Sequence, residues 1–368
     1  MRIAFDHQIF GWQTYGGISR YFYELARELA SACGQEVAVF APGYVNRYLA
    51  EAPPQLEVVG IPVPRLPKSG RLYRFANSLL VSPLLARYRP DVVHETYYAA
   101  SRLAPQGAKV ILTVFDMIHE RFKAQFAAID PNSREKTRAV RRADHLICIS
   151  EQTRSDLVEL LDVDPARTSV VHLGFSLPSP EEGMQAPAPP RRPFLLYVGN
   201  RGGYKNFEGL LRAFAAAPRL RSACDLVCFG GGGLTARERA AMRQRNIPGS
   251  QVRHISGSDL VLATLYRQAQ ALVFPSLYEG FGIPPLEAMS CGCPVVCSNV
   301  SAIPEVVGDA AEMFDPRDPE AMGRAIERVI DDGSLRASLV TRGKQRSEAF
   351  SWRRCAEESL EVYRKVLG

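Results

Sequence analysis

Glu279 and Glu287 stand eight residues apart in "PSLYEGFGIPPLEAMSCGCPVV", Pro275 to Val296. The apolar run "ALVFPS" reads as a strand ending at Pro275, so Glu279 falls in the loop beyond its carboxyl end. Pro284 and Pro285 suit the first turn of a helix, where a missing N–H costs little. Gly292 can close that helix, which places Glu287 within about one turn of its start. Gly280 and Gly282 allow close backbone approach. Carboxylates accept hydrogen bonds from vicinal hydroxyls. The N–H groups of Phe281, Gly282 and Ile283, with the helix dipole, favour an anion. Taken alone, Glu279 would read as a solvated loop residue and Glu287 as a helix-dipole partner. Glycines, prolines and strand end explained together point to a pocket for a ligand that is part sugar and part phosphate.

Three other stretches carry chemistry. "GNRGGYKN" places Arg201 and Lys205 in a glycine-rich turn between strand and helix. Fixed cations there would stabilise a departing phosphate group, although the G-x-x-x-x-G-K-[ST] loop is absent. "TYGGISRYFYELARELA" sets Gly16 and Gly17 before an amphipathic helix, where free N–H groups could reach a phosphate. "FDMIHE" ends an apolar strand with Asp116, His119 and Glu120, and His119 is the candidate for the reaction centre. "CFGGGGLTA" fits a dinucleotide fingerprint only loosely, and its middle-strand position reads as a tight turn. An oxidoreductase would need a ribose-binding acid ~20 residues later, and Asp259 lies too far along. Asp162 and Asp164 beside Pro165 read as a turn. Cys291, Cys293 and Cys297 have no histidine or second pair at zinc spacing, so all eight cysteines read as reduced structural thiols and no metal site is expected.

The elements that must position these residues form an alternating pattern. "RIAFD", "EVAVFAP", "DVVHE", "KVILTVFD", "HLICIS" and "SVVHLG" read as buried strands separated by helix-length segments. The pattern breaks at "SLPSPEEGMQAPAPPRRP" and resumes with "FLLYVG", "DLVCFGG", "QVRHIS", "ALVFPS" and "PVVCS". At 368 residues the chain is long enough for two domains. The fold class is therefore α/β, two doubly wound domains facing a cleft. The expected boundaries are 1–177, a linker over 178–192, 193–350, and a C-terminal helix over 351–368 that crosses back to the first domain. No apolar run approaches the ~20 residues of a membrane span, and the N-terminus lacks the features of a signal peptide. Net charge of +6 fits anionic small molecules, anionic lipid or nucleic acid without choosing among them. The segment Ile61 to Pro90 holds Arg65, Lys68, Arg71, Arg74, Arg87 and Arg89 with no acidic residue, and interleaved apolar residues make it either a membrane-docking surface or an ordinary basic helix face.

"EGFGIPPLE", with the "AMSCGCPVVCSNVSAIPEVVGDAA" that follows, resembles the retaining glycosyltransferases of family 4, whose E-x7-E motif matches Glu279 and Glu287. "YGGISRYFYELARELA", "TVFDMIHE", "ICISEQTRSDL" and "LYVGNRGGYKNFEGLLRAF" extend the resemblance over nearly the whole chain. It implies two Rossmann-like domains of the GT-B fold. It implies that Glu287 accepts hydrogen bonds from the nucleotide ribose and that Glu279 holds donor-sugar hydroxyls, with the backbone of Phe281, Gly282 and Ile283 beside it. Arg201 and Lys205 would hold the diphosphate, although the family often places its arginine nearer Asn200. His119 would contact the donor sugar, and Gly16 and Gly17 would approach the phosphate. No metal and no cofactor is implied.

The blocks "FDMIHE" and "YVGNRGGYKN" look most like bacterial mannosyltransferases of surface polysaccharide. GDP-mannose is the expected donor, a UDP-sugar the alternative, and a lipid-linked glycan or oligosaccharide the acceptor. The acceptor is expected near His7, His94, Glu95 and Tyr97, judged from strand ends. No carboxylate nucleophile stands out, so transfer would occur on one face, the leaving phosphate taking the acceptor's proton. The expected location is cytoplasmic, with or without peripheral docking on the inner face of the cell membrane, and no nucleic-acid partner is expected. A non-catalytic sugar-nucleotide scaffold is the reading from another class.

Overall fold

The computed structural model describes residues 1–65, 70–99, 101–125, 130–178, 190 and 192–368. The chain forms two compact α/β units: Met1–Gly174 with Ser351–Gly368, and Phe175–Phe350. Most of the 178–192 linker therefore lies outside the described residues, as do Lys68 and the side chains of Arg71 and Arg74.

In the first unit seven strands run parallel: β1 (Arg2–Phe5), β2 (Glu36–Tyr44), β3 (Glu57–Pro62), β4 (Val92–Glu95), β5 (Lys109–Val114), β6 (His145–Cys148) and β7 (Thr168–Val170). Their order is β3-β2-β1-β4-β5-β6-β7. The central strands are buried along their whole length, as a parallel sheet covered on both faces requires. The direction of winding reverses between β1 and β4, so the loops after those strands diverge at the carboxyl edge. Crevices for ligands form at such switch points. The C-terminal helix Trp352–Leu367 packs on the helix Gly17–Ser31, and Tyr363 Oη lies 2.6 Å from His94 Nδ1 under the sheet.

The second unit has six parallel strands: β8 (Phe194–Val198), β9 (Asp225–Phe229), β10 (Val252–Ile255), β11 (Ala271–Phe274), β12 (Val295–Ser298) and β13 (Glu312–Phe314). The order β10-β9-β8-β11-β12-β13 puts its switch point between β8 and β11. The loops after β8 and β11 carry Lys205 and Glu279 respectively. Its core joins Phe207, Leu210 and Phe214 of the helix after β8 to Leu195, Leu226 and Val273 of the sheet.

Two strands depart from the sequence pattern. β3 and β13 are edge strands, one largely exposed and the other three residues long. Neither shows the continuous apolar run of an interior parallel strand.

Candidate active site

The turn after β8 and the loop after β11 are tied together by side chains. Lys205 ends a short 3₁₀ turn, Gly203–Lys205, and Asn206 follows in the left-handed conformation. Asn206 Nδ2 donates to the carbonyls of Pro275 (3.0 Å) and Pro316 (2.8 Å), and Leu277 N donates to the Tyr204 carbonyl at 2.7 Å. This lacing brings Lys205 Nζ to 2.7 Å from Glu279 Oε1. The Glu279 N–H is held in turn by Ser301 Oγ at 2.9 Å, and Ser301 sits at positive φ, a strained geometry concentrated at functional sites.

Glu287 lies on the helix Ile283–Ser290, whose N-terminal flank is Gly282 and whose first turn holds both prolines. Tyr266 Oη donates to its Oε2 at 3.0 Å. Phe281 is buried edge-to-face on Phe350, so its ring is a wedge that fixes the loop.

Arg201 behaves differently from the expectation of a diphosphate ligand. Its side chain is 2% exposed, and its nitrogens face the glycine loop after β9. Nη1 donates to the Gly230 carbonyl at 2.9 Å, and Nη2 to those of Gly232 and Gly233 at 2.7 and 2.9 Å. Nε donates to Glu238 Oε1 at 2.8 Å. Burial pushes the Glu238 carboxyl up, but the Thr235 N–H and Arg201 outweigh it and hold the acid below its usual range. Gly230, Gly231 and Gly232 all have positive φ, and a Cβ on Gly231 would meet the Gly199 carbonyl oxygen at 2.8 Å. Only glycines let the chain turn four successive carbonyls around one cation. Arg201 is thus a brace for the glycine loop, with its donors occupied. The same loop answers the dinucleotide fingerprint: it is a strand-to-helix turn.

In the first unit, Gly16 flanks the helix Gly17–Ser31. Gln13 folds back to accept from Ser19 N at 3.1 Å, and a Cβ on Gly16 would fall 2.2 Å from Gln13 Oε1. Gly17 is open to solvent, with nothing within 4 Å of an added Cβ. His119 lies in the short helix Ile118–Arg121 after β5. Its Nδ1 is in tight contact with Asp130 Oδ2. Burial raises the Asp130 carboxyl, while His119 and the Asn132 N–H lower it further, leaving it below the usual carboxylate range.

A cavity of about 840 Å³ opens at the switch point of this unit. Gln8 and Trp12 reach it from the loop after β1, Tyr97 from the loop after β4, and Asp130, Asn132 and Glu135 from the start of the helix Pro131–Arg142. The Trp12 and Tyr97 rings meet edge-to-face at 5.3 Å. Tyr97 Oη donates to Asn132 Oδ1 at 3.3 Å, and Asn132 N to Asp130 Oδ1 at 3.0 Å.

Residues 180–346 match the family model for group 1 glycosyl transferases, and residues 15–178 match that for Glycosyltransferase Family 4. The chain is a family 4 glycosyltransferase. The O-antigen chain mannosyltransferase B of Escherichia coli is 28% identical over 375 residues, covering 95% of this chain and 96% of that protein. The D-inositol 3-phosphate glycosyltransferase of Salinispora tropica is 30% identical over 408 residues, covering 96% and 82%. The structure of sucrose-phosphate synthase from Thermosynechococcus elongatus superposes with a TM-score of 0.77 over 99% of this chain and 98% of that one, at 21% identity, and shares the fold.

Of the acceptor residues expected for this glycosyltransferase, only Tyr97 lines the cavity. His94 is fully buried between Tyr363 Oη and Thr113 Oγ1, and burial pushes its pKa down to about 3. Glu95 is gripped by both terminal nitrogens of Arg142, at 2.7 and 2.5 Å. His7 is 2% exposed. All three are interior residues of the sheet ends. Glu120 is likewise buried against Lys136 Nζ at 2.8 Å, and Asp116 accepts from Ile118 N at 3.1 Å.

Asn206, Tyr266, Ser301, Gln13 and Asp130 are the residues that sequence reasoning passed over. Two had a readable signal. Asn before a helix suits the left-handed turn that Asn206 adopts. "DP" at Asp130-Pro131 is a cap followed by a first-turn proline.

Proposed function

We propose that this glycosyltransferase moves mannose from GDP-mannose, with retention of configuration, to a lipid-linked glycan in bacterial surface polysaccharide synthesis. The observation that carries the reading is the Lys205–Glu279 pair at the β8/β11 switch point, with Glu287 on the adjoining helix. Lys205 offsets the charge that develops on the departing diphosphate. Glu279 holds donor-sugar hydroxyls, and Glu287, oriented by Tyr266, holds the ribose. His119 serves the donor sugar, and Gly16 and Gly17 the phosphate. The bond from the anomeric carbon to the diphosphate oxygen breaks as the acceptor oxygen bonds to the same face. The acceptor proton passes to the leaving phosphate, so no protein nucleophile and no metal is consumed.

The near full-length likeness to an O-antigen mannosyltransferase supports mannose and the glycan acceptor. The likeness to an inositol-phosphate glycosyltransferase favours a second reading, with a phosphorylated cyclitol as acceptor. Nuclear magnetic resonance of the product formed from GDP-mannose and a mannoside acceptor in EDTA tests the first. An α-linked product is expected. A β-linked product, loss of turnover on chelation, or turnover only with UDP-sugars would replace it.

The reading includes docking on the inner face of the membrane. The helix Gly70–Tyr88 buries Val81 and Leu85, yet Phe75, Leu79 and Leu80 on its other side are 65%, 62% and 53% exposed. Among the described residues no helix is long and apolar enough to cross a membrane. Sedimentation with anionic vesicles should fall when Phe75 and Leu79 are both changed to Ser, and undiminished sedimentation would remove the helix from the contact.

A further inference from the structure

We infer that the switch-point cavity of the first unit binds the terminal sugar of an uncharged glycan acceptor, stacked on Trp12, and that Asp130 couples this site to His119. The inference rests on the glycosyltransferase reading and narrows its acceptor. Trp12 is half exposed, unusual for the largest apolar side chain, and its ring is set by Tyr97. Large exposed aromatics in a concave site mark ligand contact. A pyranose presents a face of C–H bonds that packs on such a ring, and a rim of hydroxyls. Asn132, Asp130 and Glu135 line the same cavity with amide and carboxylate groups that can receive them, and Gln8, whose amide nitrogen donates to Asp6, adds its carbonyl oxygen. At about 840 Å³ the cavity is of the size of small-molecule sites.

Charge selects among acceptors. Among the described residues that line the cavity, the charged ones are Asp130 and Glu135, and none is a lysine or arginine. Lys136, beneath Tyr98, is buried and engaged by Glu120. A phosphate placed beside two carboxylates would be repelled, whereas neutral hydroxyls are bound by them. The described lining therefore favours a neutral saccharide over an inositol phosphate.

Asp130 has two roles in one side chain. Oδ1 accepts from Asn132 N, fixing the cavity wall, and Oδ2 holds His119 Nδ1. Asp130 is thus a positioning residue: it keeps the His119 ring oriented and ties that ring to the wall the acceptor touches.

The chain's two tryptophans make the test direct. Trp352 is buried, so the change in emission on filling the cavity belongs to Trp12. Methyl α-mannobioside titrated into the full chain should shift Trp12 emission saturably, and D-myo-inositol 3-phosphate should not. Trp12→Phe should abolish the signal. In transfer assays Trp12→Ala should raise the acceptor KM about tenfold and leave the donor KM unchanged. A saturable response to the inositol phosphate, no response to the mannobioside, or an unchanged acceptor KM would overturn the inference. The fluorescence titration requires no turnover. It therefore stands even where GDP-mannose is the wrong donor, and a failed donor assignment is seen separately in the loss of nucleotide binding.

Discussion

Lys205 Nζ lies 2.7 Å from Glu279 Oε1, although the two residues are 74 positions apart and belong to loops after different strands. Both side chains are largely shielded, at 20% and 11% exposed, so the pair is more than a surface ion pair. In the proposed donor site each residue would neutralise the other until a diphosphate and sugar hydroxyls take their place. Glu279→Gln should lower kcat/KM by roughly 10²–10³-fold with the circular dichroism spectrum unchanged. Wild-type kinetics in that variant would remove Glu279 from the site.

Arg201 should separate from Lys205 in a stability assay. Its Nε, Nη1 and Nη2 make five hydrogen bonds to four backbone carbonyls and Glu238. Arg201→Ala would remove the brace from a loop whose carbonyls can turn to water and should cost roughly 1–3 kcal/mol in urea unfolding. Lysine has neither the fork nor the number of donors, so Arg201→Lys should rescue little. Lys205→Ala should instead lower nucleotide affinity, the readout that Arg201→Ala leaves unchanged. An Arg201→Ala protein of normal stability that fails to bind GDP would return Arg201 to the diphosphate.

His119 depends on Asp130 for orientation. In Asp130→Asn the ring loses its carboxylate partner, and kcat should fall about tenfold or more while the affinity for free GDP holds. Asp130→Glu, which keeps a carboxylate for the ring, should recover part of the lost kcat, and no recovery there with unchanged folding would remove Asp130 as the group that positions His119.

Two buried histidines make stability depend on pH. Burial holds His94 at about 3 and, with Lys365 and Arg167 nearby, His145 at about 4, against 6.5 for each when unfolded. Between those values the unfolded chain binds protons that the folded chain refuses. The folded state therefore loses stability as pH falls from about 6.5, for His94 by up to about 1.4 kcal/mol per pH unit. Burial pushes Glu95 up to about 7, which works the other way between pH 7 and pH 5, so the test is the difference between proteins: the melting temperature of His94→Asn should fall less over that range than that of the wild type. A slope unchanged in the variant would show that other groups set it.

The sequence was most informative where physical constraints coincide. β11 is a continuous apolar run stopped by Pro275, and a helix opening on Pro284 and Pro285 follows it, so Glu279 and Glu287 were placed correctly at a strand end and a helix start. Interior strands announced themselves because both of their faces are buried. β3 and β13 did not, because edge strands need no such run. Side-chain direction was the other gap. Arg201 and Lys205 share one turn in the sequence, and only the packing of the glycine loop shows that one points inward. Likewise His94 and Glu95 stand at a strand end, as a ligand-facing residue would, but their partners Tyr363 and Arg142 are 269 and 47 residues away. Long-range pairing of that kind leaves no local trace. The cavity shares this property, since Trp12, Tyr97 and Asp130 meet only through the strand order.

The measurement that bears most directly on the account is calorimetric titration of the full chain with GDP-mannose, GDP, UDP and UDP-glucose, repeated on Lys205→Ala. Micromolar binding of GDP-mannose and GDP, much weaker binding of the UDP compounds, and a loss of at least tenfold for GDP in the variant are expected. Equal GDP affinity in wild type and Lys205→Ala, or no heat with any sugar nucleotide from a folded sample, would contradict the assignment of the β8/β11 switch point as the donor site.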